Sequence, residues 1–349
     1  MKMLAAVFHA PRDVRIEEID RPTAGKGEVV LRVLRCAVCG TDKRIYTHGQ
    51  KNVVPPAVTG HEIVGAVHEI GAGVKRLAVG QRVIVAAVVG CGKCVYCQRK
   101  QSNLCESFTA LGYDYAGGFA EYMKIPAAAV RQGNIIPLPD DMGSDRAALV
   151  EPLSCVLNGQ EQLAPKQGDR AVVIGAGPIG LMHAGCLKAR GCQPVVVADV
   201  SDERLGYVRE FGLGLAVNTT GGDAVRKILE AAGGEKFDVA VTACSVKQAQ
   251  ADALALVRKK ARVSFFAGIP KDDPILPIDT NHLHYHEISL FGAFASNLRH
   301  YRQALAMVGR DDLVPWDRFV THRFKLAEMV KAYAVIEAGQ GIKTVIDCE

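Results

Sequence analysis

Four cysteines lie within fifteen residues of this chain of 349, and their spacing is that of a metal site. They follow the pattern C-x2-C-x2-C-x7-C, at Cys91, Cys94, Cys97 and Cys105. Four thiolates can surround Zn²⁺ as a tetrahedron, which is the closed geometry of a structural rather than a catalytic zinc. We therefore predict one structural zinc ion here. An iron–sulfur cluster is the alternative, because four thiolates also hold one.

A second set of possible ligands is spread over three short segments. Cys39 lies in the sequence Cys-Gly-Thr-Asp, His61 is followed by Glu62, and Glu151 precedes a proline. A catalytic zinc takes three protein ligands from cysteine, histidine and carboxylate and keeps a fourth position open. Cys39 and His61 could supply two ligands, and Glu62 or Glu151 the third. Each residue alone is a weak signal, and their co-occurrence with the cysteine cluster gives them weight.

A glycine-rich segment indicates a dinucleotide site. Residues 175–180 read Gly-Ala-Gly-Pro-Ile-Gly, which matches G-x-G-x-x-G between a strand-like and a helical stretch. Gly175 permits a tight turn, Gly177 lets the backbone approach a pyrophosphate, and Gly180 lets the helix pack on the strand. The pyrophosphate is then held by the free N–H groups at the helix N-terminus. Pro178 and Ile179 are predicted to contact it as well.

An acidic residue at the end of the next strand indicates which cofactor is bound. Asp199 follows Gly175 by 24 residues, where a carboxylate can accept hydrogen bonds from the adenosine ribose. It would repel a 2′-phosphate, so we expect NAD rather than NADP. Arg204 could attract that phosphate, but Asp199 occupies the discriminating position. Arg204 and Gly268 complete the predicted cofactor contacts.

The elements that must position these residues fall into two groups. Early stretches rich in β-branched residues predict strands at 28–34, 63–70 and 82–89. From about residue 152, strands alternate with helices, which predicts βαβ units and a parallel sheet. The predicted strands are 171–174, 194–198, 238–242 and 261–265, and the predicted helices are 179–190, 203–211 and 249–257. The tail predicts helices at 301–307 and 326–336 and a strand at 344–346.

Composition excludes several classes of function. The net charge is +5, and the longest basic run is residues 258–260, too little for a nucleic-acid-binding face. The apolar residues 4–8 are too short for a signal peptide, and residues 171–187 are too interrupted for a membrane span. Eleven unevenly spaced cysteines do not suggest a secreted disulfide scaffold. We therefore expect a cytoplasmic protein.

Taken together, these motifs resemble the zinc-dependent alcohol and polyol dehydrogenases of the medium-chain dehydrogenase/reductase superfamily, nearly from end to end. The resemblance implies an α/β chain with a GroES-like β-rich catalytic domain at 1–152 and 294–349. It implies a Rossmann domain with a doubly wound parallel sheet at 153–293, and a homo-oligomer, dimer or tetramer. By the same resemblance Cys39, His61 and Glu62 bind the catalytic zinc. Glu151 is an alternating fourth ligand or holds the zinc-bound water.

The implied chemistry is hydride transfer from an alcohol to NAD. Zinc acts as a Lewis acid and can lower the pKa of a bound oxygen to about 7, which prepares the alcohol to release hydride. Thr41, two residues after Cys39, would pass on the alcohol proton, or would cap the segment that follows. Many relatives carry a histidine as an outer proton relay where this chain has Arg44, which cannot release a proton.

The favoured substrate is a secondary alcohol of a polyol, sugar or cyclitol, oxidised reversibly to a ketone. Glutamate at both Glu62 and Glu151 is closer to sorbitol or threonine dehydrogenases than to ethanol-oxidising ones. Sorbitol itself is disfavoured, because Phe294 lacks the Arg-Tyr pair that follows it in sorbitol dehydrogenases. The alternatives are L-threonine 3-dehydrogenase-like amino-alcohol oxidation and a dehydrogenase of a sugar phosphate or sugar acid. A zinc-free quinone reductase and a non-enzymatic zinc module leave most of the motifs unexplained.

Overall fold

The computed structural model describes residues 1–310, 312 and 314–349. The chain divides into two compact units. Unit 1 comprises residues 1–154, 295–309 and 316–349, and unit 2 comprises residues 155–294 and 310–315. Among the described residues, no helix is both long enough and apolar enough to cross a membrane.

The first stretch of unit 1 is dominated by strands. In chain order its elements are β1 (Lys2–Ala10), β2 (Asp13–Asp20), β3 (Val29–Val38), α1 (Gly40–His48), β4 (Ala57–Val58), β5 (Glu62–Ile70), β6 (Arg82–Val85), β7 (Val88–Val89), α2 (Val95–Gln98), β8 (Thr109–Ala110), β9 (Tyr122–Ile125), α3 (Ala127–Gln132), β10 (Ile135–Pro137) and α4 (Ser144–Ala147).

One predicted strand is divided in two. The sequence predicts a single strand over 82–89, whereas the structure has β6 and β7 with a break at Ala86 and Ala87. Asn134 accounts for the break, because its backbone carbonyl accepts from the Ala86 N–H and its side-chain amide donates to the Ala86 and Val88 carbonyls. A side chain thus replaces the neighbouring strand as hydrogen-bond partner at this point.

Unit 2 begins inside a long helix and then alternates between strand and helix. Its elements are α5 (Val150–Leu163, which starts in unit 1), β11 (Ala171–Ile174), α6 (Pro178–Ala189), β12 (Val195–Asp199), α7 (Asp202–Glu210), β13 (Leu215–Asn218), α8 (Ala224–Ala231), β14 (Phe237–Thr242), α9 (Lys247–Leu256), β15 (Val257–Phe265), α10 (Thr280–His286) and β16 (Ser289–Gly292).

The sheet of unit 2 confirms the predicted doubly wound fold. Its strand order is β13-β12-β11-β14-β15-β16, and all neighbouring strands are parallel. This is the 3-2-1-4-5-6 order of dinucleotide-binding sheets, whose ligands bind at the carboxyl ends of the strands. The central strands are almost wholly buried valine, alanine and isoleucine, because helices cover both faces of such a sheet.

The tail returns to the sheet of unit 1. It contains α11 (Leu298–Val308), β17 (Val320–Lys325), α12 (Met329–Glu337) and β18 (Lys343–Asp347). The helix predicted from residue 326 begins as a 3-10 turn, and the α-helix starts at Met329. The larger sheet of unit 1 has the order β10-β6-β5-β3-β18-β17, with β9 also paired to β3, while β2, β1 and β4 form a second sheet. The closing strand therefore lies directly beside β3.

Candidate active site

Sheet register brings three of the predicted ligands together. Strands β3 and β5 are antiparallel, with Ala37 opposite Glu62, so the end of β3 meets the start of β5. Cys39 follows β3, and His61 precedes β5. The ligand atoms of Cys39, His61 and Glu62 lie within 4.8 Å of one another. His61 and Glu62 are buried, whereas Cys39 is half-buried.

Asp42 orients two of these residues. Its Oδ2 accepts a hydrogen bond from the Cys39 backbone N–H at 2.9 Å, and its Oδ1 lies 3.4 Å from Nδ1 of His61. Asp42 is fully buried, so its charge is not screened by water. A carboxylate behind a histidine ring is the usual support of a metal-binding histidine, because it fixes the ring and its tautomer.

The start of α1 corrects one expectation about Thr41. The residue that caps the helix is Cys39, and Thr41 lies within the first turn, half-buried. Its side chain is therefore not the cap of this segment, which leaves the predicted role in proton transfer as its candidate function. Arg44, three residues further along the helix, is exposed and donates to Oε1 of Gln50 at 2.5 Å.

A buried lysine contacts the Glu62 carboxylate. Strand β18 pairs with β3 with Thr344 opposite Val38, and this register sets Lys343 beside the same end of β3. Its Nζ lies 2.6 Å from Oε1 and 2.5 Å from Oε2 of Glu62. Burial lowers the pKa of Lys343, but the charges of Glu62, Cys39 and Glu151 outweigh burial and raise it. The surroundings of the ligands are thus strongly negative.

Glu151 and Tyr113 complete the surroundings of the ligands. Glu151 is half-buried in the first turn of α5, and among the described residues it does not join the three whose ligand atoms lie within 4.8 Å. The Tyr113 ring lies 5.2 Å from the His61 ring, centroid to centroid. Burial raises the pKa of Tyr113, His61 lowers it, and Asp42, Cys39 and Glu151 raise it again.

The electrostatics of His61 also favour a cation. Burial lowers the pKa of His61, but Tyr113 and Asp42 together raise it well above its usual value. The neighbours of the ring therefore stabilise positive charge, and they would stabilise a bound metal ion in the same way. The sequence motifs predict no role for Asp42, Tyr113 or Lys343. Only Asp42 carried a signal, as an acid three residues after a helix cap.

The four cysteines of the second metal site form one compact group. Their sulfur atoms all lie within 4.8 Å of one another, with 4.0 Å between Cys91 and Cys97 and 3.8 Å between Cys94 and Cys105. Bonds of 2.3 Å to a tetrahedral zinc would separate the sulfurs by about 3.8 Å. The geometry favours a single ion over a multi-iron cluster, in which different irons hold the thiolates farther apart.

Backbone N–H groups stabilise negative charge on these sulfurs. The backbone N–H of Cys91 and that of Ser107 donate to the Cys105 sulfur, at 3.1 and 3.3 Å. The backbone N–H groups of Cys97 and Glu106 lower the pKa of Cys94 to about 6. Thiolates prepared in this way are metal ligands, because zinc binds the deprotonated sulfur.

The glycine-rich turn has the shape of a pyrophosphate cradle. Gly175 directly follows β11 with φ of +108°, and a side chain at Gly180 would place its Cβ 1.8 Å from the Gly175 carbonyl oxygen. A Cβ added at Gly177 would meet no atom within 4 Å, so the backbone there is open to an approaching ligand. Helix α6 begins at Pro178, with Gly177 as its cap, and Ile179 follows in the first turn.

Asp199 supports the glycine-rich turn through hydrogen bonds. It ends β12, where Oδ2 accepts from the Ala176 N–H at 2.6 Å and Oδ1 accepts from the Ser201 N–H at 2.9 Å. Each oxygen keeps a lone pair for a ribose hydroxyl. Arg204 lies in the first turn of α7, and Gly268 is exposed three residues beyond β15.

Two protein-family models match the chain, one in each half. Residues 25–140 match the family model for the alcohol dehydrogenase GroES-like domain. Residues 178–310 match the model for zinc-binding dehydrogenases. These matches agree with the predicted GroES-like and Rossmann domains.

Curated relatives match over the whole length. The chain is 33% identical to sorbitol dehydrogenase of Bombyx mori, over 98% of this chain and 97% of the relative. It is 32% identical to D-arabinitol dehydrogenase 1 of Uromyces fabae, over 99% and 97%. It is 31% identical to L-threonine 3-dehydrogenase of Pyrococcus horikoshii, over 99% and 98%.

Solved structures agree over 99% of both chains. An alcohol dehydrogenase of Escherichia coli CFT073 with NADH gives a TM-score of 0.90 at 28% identity. A Sinorhizobium meliloti 1021 structure with NADP gives 0.91 at 25%. The 2R,3R-butanediol dehydrogenase of Bacillus subtilis gives 0.87 at 27%.

Proposed function

Because the chain belongs to the zinc-dependent medium-chain dehydrogenase/reductase superfamily, in its polyol and threonine dehydrogenase branch, we propose a specific activity for it. As an alcohol dehydrogenase-type oxidoreductase, it reversibly oxidises a secondary alcohol of a polyol, sugar or cyclitol to the ketone with NAD. The observation that carries the proposal is the cluster of Cys39, His61 and Glu62, whose ligand atoms lie within 4.8 Å of one another. A cysteine, a histidine and a carboxylate are a ligand set of catalytic zinc.

These three residues would hold the catalytic zinc, and Cys91, Cys94, Cys97 and Cys105 the structural one. Asp42 faces Nδ1 of His61, which leaves Nε2 as the ring nitrogen for the metal. Glu62 is favoured over Glu151 as the third ligand, since only Glu62 belongs to the compact group. Glu151 keeps the role of an alternating ligand or of a group that holds a water molecule.

When bound, zinc supplies Lewis acidity that lowers the pKa of an alcohol oxygen, and the nicotinamide supplies the acceptor for hydride. Other residues of the chain position the metal ligands, move the proton and balance charge. Asp42 fixes the ring of His61 and the backbone of Cys39. Thr41, half-buried in the first turn of α1, would accept the proton of the substrate hydroxyl while its own hydroxyl proton passes to solvent. Lys343 balances the charge of Glu62.

We infer that NAD is the preferred cofactor. The support is Asp199, whose carboxylate accepts a hydrogen bond from the glycine-rich turn and would repel a 2′-phosphate. The NADP-bound relative makes the comparison of the two cofactors a necessary part of any assay. We further propose a cytoplasmic homotetramer, on family resemblance.

A second candidate activity is oxidation of L-threonine or another amino alcohol. The observation in its favour is the 31% identity to an L-threonine 3-dehydrogenase over 99% of the chain. The substrate would share the same zinc and cofactor residues, because both reactions oxidise a secondary hydroxyl to a ketone. A dehydrogenase of a sugar phosphate or a sugar acid is the remaining alternative.

The decisive experiment combines a substrate panel with metal analysis. Polyols, aldonates, amino alcohols and sugar phosphates are tested with NAD and NADP on the zinc-loaded protein. We expect polyol oxidation with NAD and two zinc ions per chain. Activity on threonine alone would establish the second candidate, and full activity after zinc removal would exclude the zinc mechanism.

Two variants and a control locate the chemistry. Cys39→Ser and His61→Ala are expected to lose turnover and one zinc ion while retaining NAD binding, since the cofactor residues belong to the other unit. His284→Ala, at an exposed position of α10, is expected to retain turnover. Loss of NAD binding in both ligand variants would count against the assignment.

A further inference from the structure

Tyr113 connects the candidate metal ligands to an open groove in unit 1. Its ring packs beside the ring of His61, with 5.2 Å between the two centroids. Tyr113 also lines the groove. Tyr113 is therefore shared between the wall of the groove and the surroundings of the metal ligands.

The groove has the size of a small-molecule site. Its volume is about 440 Å³, within the range of about 300–1,000 Å³ that ligand pockets occupy. Val54, Pro56 and Val58 give it an apolar side, and Asn52 and Asp114 give it a polar one. A chain that carries both C–H and O–H groups matches such a mixed lining better than a purely apolar alcohol does.

Asp114 gives the groove a fixed acceptor. Its Oδ2 accepts from the Ala110 backbone N–H at 2.9 Å and from Asn52 Nδ2 at 3.4 Å. The carboxylate is therefore held by the protein through one oxygen, and Oδ1 can accept from a ligand hydroxyl. Its negative charge disfavours phosphates and carboxylates in the groove, because like charges repel.

We propose that Tyr113 is a specificity-determining residue that donates a hydrogen bond to the hydroxyl next to the reacting carbon, while the rest of the substrate extends into the groove toward Asp114. The substrate class is then a neutral vicinal diol or longer polyol. This inference rests on the proposed function and narrows it. A simple secondary alcohol fits the metal site but leaves the Tyr113 hydroxyl without its partner.

The test compares Tyr113→Phe with the wild type on two matched alcohols, 2,3-butanediol and 2-butanol. The substitution keeps the ring against His61 and removes only the hydroxyl. We expect KM for 2,3-butanediol to rise by roughly three- to tenfold, the effect of one neutral hydrogen bond. The KM for 2-butanol, and kcat for both, should change less than twofold. Zinc content should stay at the wild-type value.

Tyr122→Phe is the matched control, because Tyr122 lies on β9, packs against His68 of β5 and does not line the groove. It should leave both alcohols unaffected. A second arm measures ribitol binding to the zinc- and NADH-loaded protein by calorimetry, and Tyr113→Phe should weaken it by the same factor. Equal losses for the two alcohols, no loss for either, or loss of zinc from Tyr113→Phe would overturn the proposal. If the wild type oxidises no polyol of the substrate panel, the proposed function fails, and the ribitol arm decides the role of Tyr113 by itself.

Discussion

Lys343 and Glu62 form a buried ion pair across 281 residues of sequence, with the lysine Nζ 2.6 and 2.5 Å from the two carboxylate oxygens. Neither side chain is accessible to water to any useful extent. The two residues belong to strands β18 and β5 of one sheet, which lie on opposite sides of β3. The candidate metal ligand is therefore already compensated by a positive charge of the protein itself.

Lys343→Met should destabilise the zinc-free protein by about 3 kcal/mol, because it leaves the Glu62 carboxylate buried without a partner. Urea unfolding measures the loss. Lys331→Met is the control, since Lys331 pairs with Glu328 on the surface and such pairs contribute about 1 kcal/mol or less. Added zinc should recover more stability in Lys343→Met than in the wild type, because the cation replaces the missing charge. Equal losses in the two variants would refute this account.

Cys97→Ser should remove the zinc ion proposed for the four cysteines and loosen the segment 91–105 without abolishing NAD binding. Serine offers no thiolate, and a tetrahedral site with three ligands holds structural zinc poorly. Metal analysis and limited proteolysis across residues 91–105 report the two effects. Lys93→Ala changes an exposed residue of the same loop and should keep both ions. Full zinc content in Cys97→Ser would contradict a four-cysteine site.

Asp199→Ala should reduce kcat/KM with NAD by about tenfold or more and shift the preference toward NADP. The lost hydrogen bonds involve a charged acceptor, for which about 1.5–3 kcal/mol each is typical. Steady-state kinetics with both cofactors measures the shift. Asp202→Ala removes an exposed carboxylate in the first turn of α7 and serves as the control. If the ratio of kcat/KM with NAD to kcat/KM with NADP is unchanged in Asp199→Ala, Asp199 does not bind the ribose.

His183 should make the protein less stable in weak acid. Burial lowers the pKa of His183 to about 3, against 6.5 in the unfolded chain. Between these two pH values the unfolded chain binds the proton and the folded chain does not. The stability contributed by neutral His183 in the folded chain is therefore complete above pH 6.5 and is lost as the pH falls toward 3. From pH 7 to pH 5 the free energy of unfolding should fall by about 2 kcal/mol more for the wild type than for His183→Gln.

The ring of His183 packs against Phe266, and Nδ1 faces the Gln160 amide at 3.3 Å, so glutamine preserves a polar side chain at this place. Equilibrium unfolding at the two pH values gives the difference, in which contributions common to both proteins cancel. His284→Gln, at an exposed position, should follow the wild type. Parallel pH curves for the wild type and His183→Gln would show that this proton is not linked to unfolding.

The sequence by itself determined the features that depend on short stretches of chain. The strand 171–174, the glycine turn and the helix after it are continuous, and local sterics and hydrogen bonding decide them. The four cysteines fall within fifteen residues, so their spacing already limits them to one loop. The alternation of strand and helix then confines unit 2 to a parallel sheet with its ligands at the carboxyl ends.

Tertiary structure decided how the candidate active site is composed. Whether Glu62 or Glu151 lies with Cys39 and His61 depends on the register of β3 and β5, which no local pattern encodes. Lys343 and Tyr113 reach the same place from distant parts of the chain. Their side chains have no sequence signature, because long-range sheet pairing and burial, rather than local conformational preference, fix their positions.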